Sequence, residues 1–145
     1  MPEGMGAGTS GVWMVDSIGR LHAEEHKYHL SCRHGYDVGP VALHDWCGRY
    51  WRRFCRWRHF EHLTGSCFYP EFESRSHAVF SSPQMLNDPV VCFAVERVRD
   101  HLWEYLDFYK RDAVPSHLCR ERLHTVLTLM DLNAARLPIP TWGQA

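Results

Sequence analysis

The sequence predicts an all-α protein, an irregular bundle of about four helices with a loop-rich middle segment. Three observations predict it: apolar residues recurring every three to four positions in four stretches, glycine or proline at the ends of those stretches, and a cluster of glycine, proline and serine between the second and third. At 145 residues the chain has the length of one ordinary domain. Residues 1–18 are expected to form a flexible leader, because Gly4, Gly6, Gly8 and Gly11 leave little to order the backbone. A single helical domain is expected over 19–136, followed by an extended tail over 137–145.

The first helix is predicted over Leu21 to His34, stopped by Gly35. Pro40 then opens a long second helix, about 41–63, with Gly65 placed for a left-handed cap. Residues 64–87 read as a connecting loop, with Cys67-Phe68-Tyr69 and Ala78-Val79-Phe80 as short extended pieces of one weak hairpin. Asp88-Pro89 supplies a cap and a first-turn proline for a third helix. The repeat Val91, Val95, Val98, Leu102, Leu106, Tyr109 carries that helix to about 111. Past Pro115, the stripe Cys119, Leu123, Val126, Leu127, Met130 predicts a fourth helix over roughly 116–135.

Composition removes several functional classes. A formal net charge of −1 gives no global attraction to nucleic acid or anionic membrane, so only a local patch could supply it. Eleven histidines make the charge sensitive to mild acid. No run approaches a membrane span, and the N-terminal residues lack the basic start and apolar run of a signal peptide. A cytoplasmic protein is the expectation, with all six cysteines as thiols, since no Cys-x-x-Cys pair supports a zinc finger or a thioredoxin motif. Cys47 and Cys119 lie beside apolar stripes and are expected to pack as small hydrophobes. There is no nucleophile elbow, phosphate-cradling loop or dinucleotide fingerprint, so no catalytic residue is assigned.

Between Asp45 and Glu61 no acidic residue occurs, while Arg49, Arg52, Arg53, Arg56 and Arg58 alternate with Trp46, Tyr50, Trp51, Phe54, Trp57 and Phe60. A turn of ~100° per residue puts Leu43, Trp46, Tyr50, Phe54 and Trp57 on one face, expected to be the core face. Arg49, Arg52, Arg53 and Arg56 form a neighbouring stripe, and a third sector carries His44, Trp51, Cys55 and His62. The functional expectation is a non-catalytic accessory protein. It docks an acidic protein surface through Arg49, Arg52, Arg53 and Arg56, with an exposed Trp51 as anchor. A nucleic-acid-binding module is the charge-based alternative, and a second copy of the chain is another cover for the aromatic surplus. The bland rival is internal neutralisation: Glu96, Asp100, Glu104 and Asp107 would share one face of a continuous third helix and meet the stripe from an antiparallel neighbour.

Two arrays raise a transition-metal reading, with zinc as the leading ion. His22, His26 and His29 stand at i, i+4 and i+7, and Cys55, His59 and His62 repeat that spacing. His22, Glu25 and His26 also match the His-x-x-Glu-His pattern of inverted zinc peptidases, with Glu104 as a distant third ligand, although such enzymes are larger and contain a sheet. His117, Glu121 and His124 contribute a single Glu-x-x-His, where a di-iron bundle needs two.

Overall fold

In the computed structural model residues 14–142 are described, and no strand occurs among them. The α-helices are α1 (Val15–His34), α2 (Val41–Thr64), α3 (Pro83–Leu86), α4 (Pro89–His101) and α5 (Arg120–Met130), with short 3-10 turns at Ser74–Ser76, Tyr105–Tyr109 and Leu132–Ala135. No described helix is long and apolar enough to cross a membrane. The fold is all-α, as the periodicity predicts.

Helix α1 starts at Val15, inside the residues expected to be a loose leader; residues 1–13 lie outside those described. The reason is a cap from far along the chain. The Glu71 carboxylate accepts the backbone N–H groups of Val15 and, at 2.9 Å, Asp16. A carboxylate at this end also suits the helix dipole, so it replaces the side-chain cap that Met14 cannot provide. The other end is local: Gly35, at φ 79°, returns its N–H to Ser31 as expected.

Helix α2 begins and ends where the sequence places it, with Gly65 in the left-handed region at φ 83°. The expected hairpin after it is absent. Cys67-Phe68-Tyr69 and Ala78-Val79-Phe80 do not pair with each other, because the end of α2 takes their hydrogen bonds. Ala78 donates to the His62 carbonyl (2.9 Å), Phe80 donates to that of Leu63 (2.8 Å), and Tyr69 donates to the His62 ring (3.1 Å).

Asp88 caps α4 as predicted, accepting from Val90 at 2.8 Å. The helix stops ten residues short of the expected end. Leu102 turns left-handed (φ 59°), and Trp103 donates to Arg97. The turn lets Phe108 reach the interior with its ring 4.9 Å from Trp103, whereas Leu106 and Tyr109, counted in the apolar repeat, face solvent. Helix α5 is also shorter than predicted, ending at a left-handed Asp131 so that Leu132 and Ala135 can be buried from a 3-10 turn. Beyond it the described part of the tail carries no helix and packs back: the Trp142 ring lies 5.8 Å from Trp51.

Helix α2 stands between two apolar clusters. One lies against α1 and includes Val15, Ala23, Leu43, Trp46, Cys47 and Trp51; the other, with Val91, Val95, Phe108, Val126 and Leu127, lies against α4 and α5. Helix α1 packs tightly on α2 at Gly19, where a Cβ would sit 2.8 Å from the Trp51 ring and 3.2 Å from Phe54. Trp51 is held in place, since its indole N–H donates to the Leu137 carbonyl at 3.1 Å. Gly19→Ala is therefore expected to lose about 1–2 kcal/mol in urea unfolding, overpacking outweighing the better helix propensity of alanine.

Candidate functional site

The arginine stripe of α2 divides into buried and exposed members. Arg56 is buried, with its side chain fully covered. It donates from Nη2 to Glu104 Oε2 at 2.7 Å and from Nη1 to the Leu132 carbonyl at 3.1 Å, while its Nε has no hydrogen-bond partner. Arg52 and Arg136 (2.9 Å) bond the same Glu104 oxygen. Burial, followed by the neighbouring charges of Arg52 and Arg136, pulls the Arg56 guanidinium down to about 10, so it stays charged at neutral pH.

The internal-pairing rival thus holds for part of the stripe, through one carboxylate instead of four. Because α4 ends at His101, the expected row on a continuous helix does not form. Glu96 pairs with Arg97, Asp100 pairs with Arg99, and Asp107 accepts the Glu104 backbone N–H (2.7 Å) and pairs with Lys110. Glu104 reaches α2 because the turn after Leu102 carries it there. Arg49 is neutralised within its own helix by Asp45 at 2.9 Å, and that carboxylate also meets His26 at 2.9 Å. Arg58 bonds Glu61 (2.9 Å) and lies 4.9 Å from the Phe54 ring centre.

Two of the expected contact residues are therefore corrected. Trp51 is 4% exposed and bonded to Leu137, so it belongs to the core; Arg56 is equally inaccessible. Trp51 lies where the cluster against α1 and the C-terminal segment close over a sector that local periodicity leaves open, and Arg56 lies where Glu104 and the Leu132 carbonyl close over it. The supposed core face is corrected in the opposite sense. Leu43 and Trp46 are buried, but Tyr50 and Trp57 are 44% and 49% exposed. Arg49, Arg52 and Arg53 remain on the surface. Cys119 is exposed, unlike Cys47, because α5 begins only after it.

Neither metal array converges. The His22 ring packs on Trp46 and Phe54, His26 is held by Asp45, and His29 is exposed beside Tyr28. Glu104, the supposed third ligand, is held by its arginines. In the second array burial pushes the Cys55 thiol up to about 12, against the thiolate that a metal would need. Burial also pulls His59 down to about 3, helped by His62 and Arg56. His62 accepts the Tyr69 N–H at Nδ1, so its proton sits on Nε2 and is donated to the Glu73 carbonyl (2.9 Å). Among the described residues no group of three or more His, Cys, Asp or Glu is placed to hold a metal ion. His124 instead meets the Tyr109 hydroxyl at 3.0 Å.

What the surface of α2 offers is a shallow depression of about 330 Å³, lined by His22, Trp46, Tyr50, Arg53, Phe54, Trp57 and Arg58, with no acidic residue in the lining. Arg99 lies 5.2 Å from the Trp57 ring centre and braces that indole from α4. Sequence reasoning missed Arg136 and Glu71, which carry no local pattern, and misplaced Tyr50 and Trp57. No protein-family model, curated protein or solved structure matches the chain.

Two outcomes follow from the buried charges. Glu104→Ala leaves Arg56 without its counter-ion and is expected to cost about 3–5 kcal/mol in denaturant unfolding, the range for breaking a buried pair. His59 binds a proton more weakly in the folded chain than when unfolded, so stability falls as pH drops below about 6.5, by on the order of 3 kcal/mol near pH ~4. His59 Nε2 is buried without a partner. His59→Leu should therefore change stability little at pH ~7.5 and flatten the acid limb in a pH series of urea melts.

Proposed function

We propose that the chain is a non-catalytic binding protein that docks an acidic protein surface through the exposed side of α2. One observation carries this reading: Arg49, Tyr50, Arg53 and Trp57 form an exposed strip around an aromatic depression that no carboxylate lines. Tryptophan, tyrosine and arginine are the residue types that dominate interface energies when truncated, and here they lie side by side on a long helix braced by neighbours. The anchors are Tyr50 and Trp57 in place of Trp51.

Charge decides the kind of partner. Arg53 stands beside Asp100, but that carboxyl is held low chiefly by its hydrogen bond from Arg99, with Arg53 acting only at longer range. Arg53 can thus orient an incoming carboxylate and raise its association rate, while the rings bury apolar area. A negative net charge overall disfavours nucleic acid, whose capture rests on many phosphate contacts. A reducing, cytoplasmic setting is part of the proposal, in keeping with six cysteines that are all free.

The test uses a synthetic peptide of alternating glutamate and leucine, labelled for fluorescence anisotropy, against the full chain. Arg53→Glu and Trp57→Ala are each expected to weaken binding by about tenfold or more, with circular dichroism unchanged and stability within ~0.5 kcal/mol of the parent. Equal binding by those variants would refute the docking face. Tighter capture of single-stranded DNA of matched charge would transfer the site to the nucleic-acid reading.

A further inference from the structure

On another side of α2 from Tyr50 and Trp57, a cavity of about 410 Å³ lies between the helix and the segment after α5. Its volume is within the roughly 300–1,000 Å³ of small-molecule sites. Trp51, Leu137 and Ile139 supply an apolar wall, and Arg52 and Arg136 supply positive charge; no acidic residue is among its lining. Arg52 and Arg136 already share one Glu104 oxygen with the buried Arg56, so three guanidinium groups meet one carboxylate. Two positive charges are left uncompensated at that cluster. Arg52 and Arg136 keep about half of their side-chain surface open, so each retains N–H donors for another acceptor.

Gly48 is the second observation. It lies inside α2 and lines the cavity, and a Cβ built on it would meet nothing within 4 Å. Glycine in a helix interior costs stability relative to alanine, and here neither packing nor backbone conformation demands it. A side chain at this lining position would occupy space that glycine leaves free.

We propose that this cavity binds an organic carboxylate with an apolar body, its head on Arg52 and Arg136 and its body along Trp51, Leu137 and Ile139. Arginine favours the choice of head group, because its planar fork matches a carboxylate with two parallel hydrogen bonds. The apolar wall excludes a bare anion as the best ligand. This site does not depend on the docking strip, and the two stand or fall separately.

Isothermal calorimetry on the full chain with octanoate, octan-1-ol and inorganic phosphate tests it. Octanoate should bind at one site, with octanol and phosphate each weaker by about tenfold or more, and Arg136→Gln should cost about tenfold in octanoate affinity. Gly48→Leu takes up part of the cavity without removing an arginine, and should weaken octanoate binding by about tenfold or more while the melting temperature holds or rises. That variant decides the matter if Arg136→Gln does not fold. Trp57→Ala should leave octanoate binding unchanged. Octanoate that fails to bind, binds Gly48→Leu equally well, or is matched by octanol or phosphate would overturn the proposal.

Discussion

The carboxylate of Glu104 receives guanidinium groups from the middle of α2 and from the segment that follows α5, and itself comes from the turn that ends α4. Three parts of the chain distant in sequence are thus tied at one oxygen. The contact is demanding as well as cohesive. Arg56 has no access to water, so its charge is acceptable only while Glu104 and the Leu132 carbonyl are in place, and both belong to backbone that must turn correctly to present them. The left-handed residues Leu102 and Asp131, which end α4 and α5, are the turns that deliver these partners.

The same helix also separates two apolar clusters, and that position explains its composition. A helix with neighbours on several sides buries residues around most of its circumference, so Trp46, Trp51, Cys55, His59 and His62 all become interior groups. The polar ones are accommodated by keeping them neutral. His62 uses both ring nitrogens to hold the loop after α2, which makes a histidine serve as a structural clasp where a ligand role had been expected.

Neutralisation inside the fold is incomplete, and the functional reading lies in what is left. Arg53 remains on one side of α2 with Tyr50 and Trp57 half exposed around it, while Arg52 and Arg136 remain on another side with a glycine-lined cavity beneath them. Both remnants are cationic with apolar neighbours. The open strip suits a protein surface, and the more concave, half-open space suits a small molecule, because concavity decides how much of a partner can be removed from water.

By itself the sequence determined the all-α class, the caps at Gly35, Gly65 and Asp88, the bounds of α2, and the concentration of arginine and aromatic residues on that helix. These depend on periodicity and on residues adjacent to the feature they set. Only the tertiary structure decided which face of α2 is covered. The expected core residues Tyr50 and Trp57 are exposed and the expected anchor Trp51 is buried, because α1, the two clusters and the tail around Trp142 compete for the helix from directions that a wheel cannot rank. The early start of α1 and the pairing of Arg56 have the same origin: Glu71 and Glu104 act across about fifty residues, and a local pattern contains no information on which distant carboxylate will arrive.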